Sequence, residues 1–229
     1  MLINMNDSNV KTYGYVLRRT NYAEADRILN LITPIGKVAV MAKGVRKEKS
    51  KLAGGIEMFT LTEYNLHKGK GDLMVVTGAR MIEHYGEIIK DFDAMQLAGV
   101  FLKKISIASE NSDNSDYYKI LDQSLRALNG GMRKELVEIW FWLNLLKAMG
   151  EEVNLYRDSL GKKLEIDKKY EWNKFENCFD ESVNGSYSEN EIKLLRLMVS
   201  LDLDVVKKIK TNEQMLEKAL MLARIAAKV

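Results

Sequence analysis

Cysteine occurs once in the 229 residues and histidine twice. A single Cys178 excludes a disulfide within the chain and any multi-cysteine zinc cluster. His67 and His84 have no third histidine or cysteine pair to complete a metal site, and no EF-hand spacing of carboxylates is present. No run of about 18 apolar residues exists, so no helix is expected to span a bilayer. Walker loop, nucleophile elbow and metal triad are all missing, and Glu151-Glu152 has no partner at catalytic spacing. Nothing in the sequence brings Cys178 to a histidine, so it reads as a small buried hydrophobe. No catalytic residue, cofactor or metal is therefore expected. The opening MLINMNDSNVKTYG lacks a basic stretch followed by an apolar core, and the expectation is a cytoplasmic protein.

What is present is a globular composition, 46% hydrophobic and 29% charged, with a net charge of only +3. The charge is unevenly spread. Residues 1–85 carry a balance of +5 and the remainder −2, an asymmetry that hints at a polyanionic partner. The first 85 residues read as short strands: Thr12–Arg19, Asp26–Thr33, Lys37–Ala42 after a turn at Pro34–Lys37, Met58–His67, then a hairpin loop over residues 68–72 and a strand at Leu73–Ala79. Five or so strands with Gly-bearing turns in about 80 residues imply a small barrel. Asp26 and Arg27 read as a local ion pair.

Beyond Asp91 the apolar period becomes helical. Helices are expected at Ala94–Ser109, Asp116–Leu128, Arg133–Met149, Asn190–Ser200, Asp202–Lys208 and Asn212–Ala227. The third is apolar nearly all round, which marks it as a core spine. Ser188 with Glu191 three residues on forms a capping box. Residues 151–187 are polar and weakly patterned, so a short hairpin, an irregular excursion and a mobile loop all remain open. The domain reading is 1–85 for the barrel and 86–229 for a helical part with an irregular insertion at about 151–187.

The segment Gly36–Gly55, GKVAVMAKGVRKEKSKLAGG, holds Lys37, Lys43, Arg46, Lys47, Lys49 and Lys51 against one acid, Glu48. Six cations so close together cannot share a packed core. A basic loop leaving a strand of a small barrel suits a phosphate backbone, and Gly44 permits close backbone approach. Charge alone is equally consistent with a solvated loop that has no partner.

Residues 13–73 as a whole resemble the N-terminal domain of the RecO family of bacterial DNA repair mediators. The resemblance runs through Tyr15–Arg19, then Glu24, Asp26, Arg27, Ile28 and Leu29, then Thr33, Gly36, the Ala42-Lys43-Gly44 tripeptide and Arg46. It continues through Ser50, Leu52, Ala53 and Gly54 to Phe59, Leu61, Gly69, Gly71, Asp72 and Leu73. Further on, Phe141, Leu145, Leu146 and Gly150 sit like that family's apolar helix and its terminal glycine. Many members carry a four-cysteine zinc site in the next segment. Here Asp158 and Gly161 stand about where the first cysteine pair falls, and Cys178 is alone, so this sequence is similar to the members that lack zinc.

The resemblance implies an α+β chain, with an OB-fold barrel in front and helices behind. It implies binding of single- and double-stranded DNA, strand annealing, contacts with RecR and with the acidic, apolar C-terminal tail of single-strand binding protein, and thereby help in loading RecA. It also implies a nucleoid-associated place in the cytoplasm. Candidate phosphate contacts are Arg18, Arg19, Lys37, Lys43, Arg46, Lys47, Lys49 and Lys51, with Lys68 and Lys70 at the hairpin, acting through charge neutralisation and counterion release. Candidate stacking residues are Tyr13, Tyr15 and Tyr64; Phe59 reads as core. An acidic, apolar tail needs a hydrophobic groove flanked by cations, for which Lys103, Lys104, Arg126 and Arg133 are candidates. Two other readings stay open: a protein-docking adaptor that binds no DNA, and a general single-strand binder independent of RecR.

Overall fold

In the computed structural model, residues 8–69, 73–110, 112 and 114–229 are described. By internal contacts the chain separates into two units, 1–129 and 130–229. The boundary read from sequence, 85/86, falls inside the first.

The first unit begins with β1 (Asn9–Tyr22), β2 (Asp26–Thr33), β3 (Gly36–Ala42), β4 (Thr60–Lys68) and β5 (Met74–His84). They hydrogen-bond in the order β1-β2-β3-β5-β4 and close into a barrel, β4 returning to β1. All pairs are antiparallel except β3 with β5, where Val40 faces Met74 and Met41 faces Val75. The 14-residue β1 serves two neighbours, β4 through residues 9–14 and β2 through residues 15–22, with a register irregularity between Val16 and Arg18. Such a bulge bends a strand so that it can turn a barrel corner. Inward positions supply the core: Val10, Val16, Leu29, Leu31, Val38, Val40, Tyr64, Leu66 and Val76, with Val45 and Ile56 contributed by the connection between β3 and β4. A 3₁₀ turn at Ala53–Ile56 closes one end of the barrel, where the Tyr64 hydroxyl donates to the Gly55 carbonyl at 2.9 Å. A Cβ on Gly55 would lie 2.5 Å from that of Ala79, so only glycine fits there.

Three helices complete this unit: α1 (Gly86–Lys90), α2 (Phe92–Ala108) and α3 (Asp116–Asn129). Asp91 caps α2 by accepting the Ala94 N–H at 3.0 Å. Polar ties join these helices to the strands. Tyr15 donates to Asp122 at 2.5 Å and pairs with the Tyr85 hydroxyl at 2.9 Å, and the Lys37 ammonium donates to the Ser106 carbonyl at 2.9 Å.

In the second unit, α4 (Lys134–Met149) is the expected spine, with ten of the eleven residues from Leu136 to Leu146 buried, Asn144 being the exception. Its buried Glu138 is held by Arg224 through two bonds of 2.7 and 2.8 Å and by the Trp142 indole at 3.1 Å. Gly150 ends the helix at φ 79°, a left-handed position suited to glycine. The helices α5 (Glu189–Ser200), α6 (Leu203–Val206) and α7 (Glu213–Ala226) follow, and the Ser188–Glu191 capping box is present.

Residues 151–187 contain a short antiparallel hairpin, β6 (Tyr170–Asn173) with β7 (Cys178–Glu181). Two carboxylates supply polar ties around it. Asp180 accepts from the Ser159 N–H at 2.9 Å and the Asn173 amide at 2.7 Å, while Asp158 accepts the N–H groups of Leu160 and Lys162. These residues do not fit a four-cysteine zinc site: Cys178 is the one thiol, and both carboxylates are engaged by backbone donors. Among the described residues no group of three histidines, cysteines or carboxylates gathers to hold a metal, and no helix is long and apolar enough to cross a membrane.

Candidate nucleic-acid interface

The basic loop leaves β3 at Ala42 and is pinned within three residues. The Gly44 N–H donates to the Asp26 carboxylate at 2.7 Å, the Val45 side chain enters the barrel core, and the Arg46 N–H donates to the Ala25 carbonyl at 2.9 Å. Gly44 stands at φ +63°, the left-handed region that side chains disfavour. Successive tight turns, Lys47 N–H to Gly44 O at 3.1 Å and Ser50 N–H to Lys47 O at 3.0 Å, carry the chain onward. The cations of this stretch thus stand on a fixed backbone.

Lys43, Arg46, Lys47, Lys49 and Lys51 are all exposed, and none has an ion-pair partner among the described residues. Arg18 joins them on the outer face. Its register row, Arg18–Asn30–Ala39, lies beside Thr20–Ile28–Met41, and both rows lead along β2 and β3 towards Lys43. Lys68 is exposed at the end of β4; Lys70 lies outside the described residues. Two other candidates are already occupied. Arg19 shares a row with the buried Leu29 and Val40 and pairs with Glu57 at 2.8 Å. Lys37, its side chain 17% exposed, holds the last turn of α2 through Ser106 O, with Glu110 at 3.7 Å.

The stacking candidates divide by burial. Tyr15 and Tyr64 are 1% and 0% exposed and both hydroxyls are bonded inside the unit, so neither offers a face to a base. Burial also pushes the phenols far above their ordinary range, with Asp122 adding to the effect at Tyr15. The β pattern places both on strands but does not say which face is core, and both side chains fall on the core side. Tyr13 is 45% exposed. Its row partner is Glu63, which already neutralises Lys11 at 3.0 Å and Arg80 at 3.2 Å.

Lys103 and Lys104 sit on α2 and Arg126 on α3, where it pairs with Glu83 at 2.6 Å and Asp122 at 3.1 Å. Arg133 belongs to the other unit and pairs with Glu213 at 2.9 Å. It edges a cleft of about 580 Å³ lined by Met132, Leu136, Ile209, Lys207 and Lys210. Asp26 is the residue of this loop's anchorage that the sequence reading passed over. Its neighbour Arg27 bonds Asn21 instead, at 3.2 Å, so the local pair read from sequence does not form.

Comparison with known proteins agrees with this layout. The models for the N-terminal and C-terminal parts of Recombination protein O match residues 5–85 and 90–224. A DNA repair protein RecO of Dehalococcoides mccartyi (strain CBDB1) is 30% identical over 217 residues, 90% of this chain and 84% of that protein. One from Roseiflexus sp. (strain RS-1) is 33% identical over 153 residues, 66% of this chain but only 54% of the relative's length. One from Listeria monocytogenes is 27% identical over 203 residues. The chain belongs to the RecO family, whose matched members bear the name DNA repair protein.

Proposed function

We propose that this chain is a DNA-binding recombination mediator that makes and breaks no covalent bond, and that its barrel is of the OB type. The five-stranded order with a parallel β3–β5 closure is that of a Greek-key OB barrel. The single observation that carries the DNA reading is the loop of five unpaired cations, Lys43 to Lys51, pinned at Gly44 and Arg46. A fixed array of cations with no acidic partners has its charge available for phosphates, and neutralising phosphates releases counterions whatever the base sequence.

Single- and double-stranded DNA are the ligands, with annealing of complementary strands as the outcome. RecR and the tail of single-strand binding protein are the protein partners, and RecA loading follows from both. Of the cations considered for the tail, Arg133 borders a cleft lined by Met132, Leu136 and Ile209 together with Lys207 and Lys210, and a tail carboxylate would replace Glu213 and Glu135 on it.

The test is annealing of two complementary labelled oligonucleotides with and without the protein, first bare and then coated with single-strand binding protein. Faster annealing of both supports the mediator reading. Binding to a single strand with no effect on annealing favours a general single-strand binder, and no DNA binding at low salt favours the docking adaptor.

A further inference from the structure

We infer that Tyr22 is the base-stacking residue of the DNA site and that it makes the junction of the β1–β2 turn with the basic loop selective for unpaired nucleotides. This rests on the DNA-binding reading above and goes beyond it, because phosphate contacts by themselves do not distinguish a single strand from a duplex.

The strand pattern nominated Tyr13, Tyr15 and Tyr64, of which two are core and the third lies beside the Lys11–Glu63–Arg80 cluster. Tyr22 is 51% exposed, and its side chain has no hydrogen-bonded or stacked partner among the described residues. It closes β1, directly across from Asp26 in the register. Between the two, Ala23 takes φ 48° to make the turn. Asp26 is the residue that receives the Gly44 N–H, and Ala25 receives that of Arg46. The turn that displays Tyr22 is therefore the same piece of backbone that anchors Lys43, Arg46 and Lys47.

An exposed ring on the turn that anchors a row of unpaired cations is the pattern of a site for single-stranded nucleic acid. The ring stacks on a base, which any base permits because every base has a π-face, while the lysines and arginine follow the flanking phosphates. A duplex keeps its bases stacked on one another, so it engages the cations and leaves the ring idle.

The experiment measures anisotropy of a labelled oligothymidylate and of a labelled duplex of equal length, across a salt series, with the full-length wild type, Tyr22→Ala and Tyr22→Phe. Tyr22→Ala is expected to weaken single-strand binding by about five- to a hundredfold, with duplex binding and the salt slope unchanged, and Tyr22→Phe to retain wild-type behaviour. Equal loss on both DNAs, loss on neither, or failure of the phenylalanine to retain binding overturns the inference while the DNA-binding reading stands. A wild type that binds neither DNA overturns both. Melting temperatures alongside exclude a folding defect at this exposed position.

Discussion

The Asp26 carboxylate accepts the backbone N–H of Gly44 at 2.7 Å, joining the β1–β2 turn to the first residues of the basic loop. The bond has an opposite sign of consequence from simple electrostatics. Removing an acid from a basic surface raises affinity for DNA if charge alone matters. If the carboxylate's work is to hold the loop, its removal lowers affinity. Asp26→Ala is expected to cost about 1–3 kcal/mol of stability and to weaken DNA binding. Asp26→Asn keeps an oxygen at the same place and is expected to bind at least as tightly as wild type. Anisotropy titrations of both variants at one salt concentration decide it.

Tyr15 is a structural residue and not a stacking one, and its hydroxyl gives a direct check. Tyr15→Phe leaves the ring in place but removes the bond to Asp122 and the pairing with Tyr85. The expected result is a loss of about 1–3 kcal/mol in urea unfolding, with DNA affinity unchanged wherever the variant is folded.

Much of the fold was legible from pattern. Each of the five strands read from β-forming runs and alternation overlaps an observed strand, although β1 and β5 run well beyond Thr12–Arg19 and Leu73–Ala79, and the apolar helix ending at Gly150 falls where expected. The hairpin at β6–β7 was one of three open readings, because four-residue strands of mixed polarity carry almost no period. The site was legible only in part. Clustered charge located the loop, since like charges must be solvated, but charge does not say which cations are spoken for. Lys37 is drawn into the carbonyls of α2, and Arg19 onto Glu57, by contacts between segments far apart in sequence. For the same reason Asp26 passed for a partner of Arg27: its true acceptor role is toward a backbone N–H that no side-chain pattern reveals. Tyr15 and Tyr64 were placed on strands without knowing which face was core.

Acid stability follows from Glu63. The Lys11 ammonium that bonds it, and then Arg80, hold its carboxyl below the ordinary range against the opposing effect of burial. A carboxyl whose folded pKa lies below its unfolded value of about 4.3 stabilises the fold at higher pH. That contribution is lost as pH falls through the folded value. Glu63→Gln is therefore expected to lower the urea midpoint at neutral pH and to flatten its decline on acidification; parallel acid limbs for the two proteins contradict this.

The Cys178 thiol is pushed up to about 11, by burial first and then by the carboxylates of Asp180 and Glu176. Folding thus favours the protonated thiol. Its stabilising contribution is complete below the unfolded value of about 8.5 and is lost as pH rises towards the folded one. A thiol-reactive dye is expected to label the native protein at a rate set by unfolding rather than by thiol ionisation between pH 7 and 9. Fast labelling that follows a free-thiol titration contradicts the burial of Cys178.

The most direct test of the account is the salt dependence of single-strand binding by wild type and by a variant combining Lys43→Glu, Arg46→Glu and Lys47→Glu. The account predicts a steep fall of log affinity with log salt for wild type. It predicts much weaker binding and a slope shallower by about 2 for the folded variant, since each lost phosphate contact on a single strand removes about 0.7. Wild-type affinity and slope in the variant would contradict the central claim that DNA runs along the pinned basic loop of the barrel.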